Sequence, residues 1–167
     1  MGSDKLDSEM AMENRIVAVI LFLILCSAGS SKVVYFNDEH VFRSNLSPYR
    51  VELFERRFNR STDDTIWNGG SEVRPSLVVT SLAIWYNDKK IVVPRSAFAD
   101  LSMVNEVMLK NNKKGFTVSI IGGDAGDSYT CAIQLRKDMV VRRIVRDNEF
   151  PDSFYEETSY VSKPIKE

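Results

Sequence analysis

Apolar and polar positions alternate most regularly between residues 116 and 135. Phe116, Val118 and Ile120 alternate with Thr117 and Ser119, and beyond a GGDAGDS segment Tyr129, Cys131, Ile133 and Leu135 alternate with Thr130, Ala132 and Gln134. A period of two on both arms predicts a β-hairpin with one buried face and one wet face. A second hairpin is predicted upstream. Residues 76–86 (SLVVTSLAIWY) are rich in β-branched and aromatic side chains, residues 87–90 supply a turn, and Ile91, Val92 and Val93 return before Pro94, which has no amide to donate to a ladder. Met139 to Val145 predicts a further strand, and Arg142, Arg143 and Arg146 place it near a sheet edge.

Other segments are less regular. Val33 to Phe36 predicts a short strand that ends at Asn37, Asp38, Glu39 and His40. Over residues 49–59, Val51, Phe54 and Phe58 fit a helical face while Val51 and Leu53 flank Glu52 as in a strand; the reading leans to a strand or a bent segment. Residues 59–76 form one long polar loop broken by Ile66 and Trp67, the kind of loop that often carries recognition. Ser96 stands where it would cap a short helix through Leu101, and Leu101, Val104, Val107 and Met108 extend a helical or loop-packed apolar face. The expected fold is mainly β (α+β): an antiparallel sheet of five to seven strands with one or two short helices.

The longest apolar run, Ile16 to Leu25, is too short to cross a bilayer as a helix, which takes about 20 residues. Small residues follow it, Cys26 to Ser31, and Cys26 with Ala28 or Ala28 with Ser30 would satisfy the cleavage rule for a signal peptide. Residues 1–30 therefore read as an export leader and residues 31–167 as a single exported β-rich domain, the mature chain starting between Gly29 and Lys32. Asp4, Asp7, Glu9 and Glu13 make the flank acidic, whereas a start at Met12 restores the positive flank through Arg15 and the chain's amino group. The alternatives are an uncleaved anchor over residues 16–28, a lipoprotein modified at Cys26, and a buried helix.

Composition narrows the function classes. The 22 basic and 23 acidic residues give a net charge of −1, so no overall field favours nucleic acid or another polyanion. One His and two Cys exclude zinc ribbons and disulfide scaffolds, and no cofactor is implied. Without its leader the chain retains Cys131 alone, expected to be buried and unreactive.

The candidate binding residues are Gly122, Gly123, Asp124, Asp127 and Ser128, together with Trp67 in the long loop. The glycine-acid segment offers oxygen atoms as a cation loop does, although it completes no known motif, and a turn with local side-chain bonds accounts for the same residues. His40 beside Asp38 and Glu39 is a candidate for acid–base work or a solvated turn. Arg50, Arg56, Arg57 and Arg60 with Glu52 and Glu55 read as a solvated face. The basic stretch Arg136 to Arg146 precedes an acidic one, Asp147 to Glu157, and the two are expected to pair if the tail folds back.

Residues 93–101 (VPRSAFADL), 121–129 (IGGDAGDSY) and the segment Phe150-Pro151-Asp152 with Glu156-Glu157-Thr158 resemble a set of small bacterial exported proteins. The resemblance implies an exported location and a hairpin-rich fold, and transfers no catalytic residue. The expected function is that of a small exported cell-envelope protein, periplasmic or secreted, that binds a protein partner as an inhibitor or immunity-type protein. The other readings are a hydrolase or carbohydrate-active enzyme using Asp124, Asp127 or His40, and a structural envelope protein.

Overall fold

A computed structural model describes residues 31–36, 39–63, 67–68, 74–112, 115–152 and 156–161. The leader reading, and the anchor over residues 16–28 with it, lies outside them. Among the described residues no helix is long and apolar enough to cross a membrane.

Among the described residues ten strands run in two consecutive antiparallel meanders. The first sheet holds β1 (Ser31–Phe36), β2 (Glu39–Leu46), β3 (Tyr49–Arg57), β4 (Leu77–Tyr86) and β5 (Lys89–Ile91) in chain order. The second holds β6 (Val104–Asn112), β7 (Gly115–Gly122), β8 (Tyr129–Arg136), β9 (Met139–Asp147) and β10 (Glu156–Ser159), also in chain order. The expected single sheet is thus two sheets of five strands. Among the described residues no helix of the expected kind forms: residues 95–97 and 125–127 are single 3-10 turns. Ser96 does not cap, because Pro94 occupies the cap position and no side-chain cap bond is made.

Both predicted hairpins are present. The β4–β5 turn uses two residues in the left-handed region, Asn87 (φ 48°) and Asp88 (φ 60°), a twist that matches the flanking strands. In β8 the alternation predicted from sequence holds: Tyr129, Cys131, Ile133 and Leu135 are buried. They share one core with Val51, Leu53 and Ile84 of the first sheet and with Val107 and Leu109 of β6.

Two segments differ from expectation. Residues 104–112 form a strand rather than a helical face, and a register irregularity between Val104 and Glu106 displaces its buried positions to Val104, Val107 and Leu109. That spacing imitates a helix. β9 lies near the sheet edge, as expected, but one strand in from it, because the tail returns as β10 and pairs with it from Glu156↔Val145 to Ser159↔Arg142. The basic and acidic stretches therefore do pair, with Arg142 to Glu157 on one face and Arg143 to Glu156 on the other.

The connection between the sheets, residues 92–103, runs against the core, where its backbone needs partners. Val79 N donates to Leu101 O, Met103 N to Leu77 O, and Gly123 N to Met103 O. The buried Tyr129 hydroxyl donates to Ser102 O (2.8 Å) and accepts from Ser102 N (3.2 Å). Gly122 admits this hydroxyl, since a Cβ there would collide with Tyr129 Oη and approach Ser102 O to 2.8 Å. Tyr129→Phe should therefore lower unfolding free energy by about 1–3 kcal/mol, by stripping partners from a buried backbone; urea denaturation followed by tryptophan fluorescence measures it.

Candidate functional site

The long loop between β3 and β4 is fastened at three places. At its neck Phe58 N donates to Ser76 O at 3.0 Å. Near its start Arg56 grips Asp63 with two parallel bonds of 2.7 Å, and the Asn59 amide donates to the same carboxylate. The Arg56 bond brings the Asp63 pKa down to about 2, so this clamp stays closed through the neutral range. Further along, Asn68 binds the sheet-to-sheet connection: its amide nitrogen donates to Asp100 O (2.8 Å), its side chain to Asp100 Oδ2 (2.8 Å), and its carbonyl accepts from Ser102 Oγ (2.7 Å). Asn68 also bridges Leu101 in parallel fashion. Trp67 is the residue before it.

Below Trp67 lies a cavity of about 460 Å³ lined by Thr62, Asp63, Trp67, Arg95, Ser96, Ala99, Asp100, Arg143 and Glu156. Its charged base is Arg143, which projects from β9 onto the core face and is 1% exposed. Arg143 Nη2 donates to both Asp100 oxygens (2.7 and 2.6 Å), and Nη1 reaches Glu156 Oε1 at 2.7 Å. Burial opposes the charge of this guanidinium, and Cys131, Glu156 and Asp100 outweigh it, raising the pKa. Glu156 is lowered by the Thr158 hydroxyl and, against the effect of burial, by Arg143. Trp67 lines the cavity, while its indole Nε1 is buried away from solvent without an acceptor among the described residues.

The other candidates lie elsewhere. Gly122 and Gly123 close β7, and the following turn holds Asp127 N on Asp124 O (2.8 Å), with Gly123 at φ 78°. Asn105 Nδ2 donates to Gly123 O, tying this turn to β6. Neither Asp124, Asp127 nor Ser128 lines the cavity below Trp67 or the one that contains His40. No group of three or more His, Cys, Asp or Glu among the described residues is arranged to hold a metal.

His40 sits within β2 rather than in a turn, and the carboxylate facing it belongs to Glu55 of β3, with His40 Nδ1 3.6 Å from Glu55 Oε2. Glu39 is exposed, and Asp38 lies outside the described residues. Nor is Glu55 on a solvated face: it is 1% exposed. It shares the parity of Tyr49, Val51 and Leu53, all buried along β3, so the strand's own period turns it inward. Its Oε1 accepts the Val104 amide at 2.8 Å, while Oε2 is buried without a hydrogen bond. Burial, partly offset by the Val104 bond, raises its pKa to about 7. Cys131 is fully buried, as the sequence implies, and burial pushes its thiol up to about 12, which leaves it protonated and unreactive.

The raised Glu55 pKa has a definite sign. The folded chain holds this proton more tightly than the unfolded chain does, so stability is highest below about pH 4.5 for this group and is lost as pH rises through 7. Glu55→Gln keeps an acceptor for Val104 and should flatten the decline between pH 5 and 8, gaining up to about 3 kcal/mol over the parent at pH 8. Thermal melts across that range measure the difference.

No family model matches the chain, and neither a curated protein nor a solved structure matches it.

Proposed function

We propose that the chain is a small exported protein of the cell envelope whose folded domain binds another macromolecule, as an inhibitor or immunity-type partner does. The observation that carries this reading is the cavity below Trp67, walled by the side chain of the loop's Trp67 and by charged side chains of the crossover, β9 and β10. At its base one guanidinium is held by two carboxylates, which leaves an excess of negative charge there. A site organised in this way holds a partner segment against an aromatic wall and a charged floor. Arg95 and Ser96 on the exposed side and Trp67 on the loop are placed to meet a protein ligand. The export part of the reading is supported by the ten-residue apolar run and the small residues behind it, and by the resemblance to small bacterial exported proteins.

Two measurements test the proposal. Intact mass of the chain recovered from an envelope fraction should correspond to a start between Gly29 and Lys32; a mass that retains residues 16–28 would mean anchoring instead. Affinity capture from the same fraction should return a stoichiometric partner that Trp67→Ala loses, with affinity down by about 2 kcal/mol or more and the melting temperature unchanged. Equal capture by the parent and by Trp67→Ala counts against this cavity as the binding site.

A further inference from the structure

We propose that the cavity below Trp67 takes an arginine side chain of the partner, with its guanidinium on Asp100 and Glu156; the inference rests on the binding role given above and names the chemistry of what is bound. The charged groups at the base are not equally open. Arg143 is 1% exposed, whereas the side chains of Asp100 and Glu156 keep 27% and 44% of their surface. Both carboxylates close on the one guanidinium, Asp100 at 2.6 Å and Glu156 at 2.7 Å. The cation is thus sealed beneath, and two anions converging on it form the part of the base that a ligand meets. Glu156 turns Oε1 to both Arg143 and the Thr158 hydroxyl, which leaves Oε2 to accept from a ligand. The Thr158 hydroxyl and then Arg143 lower the Glu156 pKa, so this group is a carboxylate in the neutral range.

The rest of the wall favours the same occupant. Asp63 also lines the cavity, but Arg56 holds it with two bonds of 2.7 Å, so it adds little to the field. Arg95 is the other cation among the described lining residues; it is exposed and makes no ion pair with Asp100 or Glu156, so it weakens the attraction without covering the carboxylates. Trp67 supplies aromatic surface beside them. A guanidinium is planar, packs on aromatic rings and gives paired N–H bonds to carboxylates. An acidic side chain would meet two like charges here, and a neutral one would strip water from the carboxylates without replacing it. The volume, about 460 Å³, lies in the range of sites that enclose a ligand.

The test is an NMR titration of the full chain, read at the Trp67 indole, with blocked tripeptides Gly-X-Gly in which X is arginine, its uncharged analogue citrulline, or glutamate, and with spermidine as a cation that is no peptide. The arginine peptide should bind saturably at one per chain, and the other three should bind at least about tenfold more weakly. Glu156→Gln and Asp100→Asn, which keep an oxygen for Arg143, should each weaken the arginine peptide about tenfold. Arg95→Gln should act in the opposite direction and tighten it about threefold, a sign that a merely structural effect would not produce and that decides the matter even where the acid variants fail to fold. Lys110→Gln, an exposed position on β6 outside the cavity, removes the same charge and should leave the affinity unchanged. The proposal is overturned if the arginine peptide does not bind, if the citrulline or glutamate peptide or spermidine binds as tightly, or if Arg95→Gln fails to tighten binding. Any of these results alongside a partner that Trp67→Ala still loses would remove the arginine and leave the binding role standing; the absence of a captured partner would count against that role alone.

Discussion

A guanidinium withdrawn from water must find carboxylates or leave the fold, and Arg143 meets that demand on two sides at once. Asp100 comes from the connection between the sheets and Glu156 from the returning tail, so one cation joins three distant parts of the chain. The tail strand β10 is only four residues long, too short to stay paired on backbone bonds alone in water. The ion pairs on both of its faces, Arg142 with Glu157 and Arg143 with Glu156, supply the remaining hold. Asp100 in turn receives the Asn68 side chain, which fixes the place of Trp67. The β3–β4 loop is thus positioned from the core outward.

The other buried polar groups answer a related need. Crossing from one sheet to the other forces residues 100–104 through the interior without a continuous ladder, and each unsatisfied amide there would cost stability. Glu55 serves the Val104 amide, and Tyr129 serves both polar groups of the Ser102 backbone. An acid in the core is an expensive acceptor, and its elevated pKa is the signature of that expense. The interior of this small β protein is therefore polar where the chain changes sheets and apolar elsewhere.

The loop at residues 58–76 unites the functional readings. Thr62, Asp63 and Trp67 face one cavity, and Phe58, Arg74, Pro75 and Ser76 face the other. In the first, the Arg143 guanidinium is held by carboxylates of the crossover and of β10. A loop fastened to a β scaffold is a common place for binding residues, because the scaffold supplies precision and the loop supplies specificity.

Period-two alternation determined the hairpin β7–β8 and the inward face that holds Cys131, because a half-buried strand writes its inward face directly into the sequence; β-branched and aromatic content with turn residues marked the hairpin β4–β5, and apolar content marked β9. Opposite charge in adjacent stretches indicated the pairing that follows once the tail returns onto β9, not the return itself. Three features were decided only by the tertiary structure. The strand β6 was hidden because an irregularity at Val104 shifts its apolar positions out of alternation. Whether ten strands make one sheet or two depends on which edges meet, and alternation is silent about partners. Glu55 and Arg143 look like surface charges in the sequence, and only the packing of a crossover and a returning tail around them, each with its own backbone and charge to satisfy, makes them interior groups and sets Arg143 with Asp100 in the wall of the cavity.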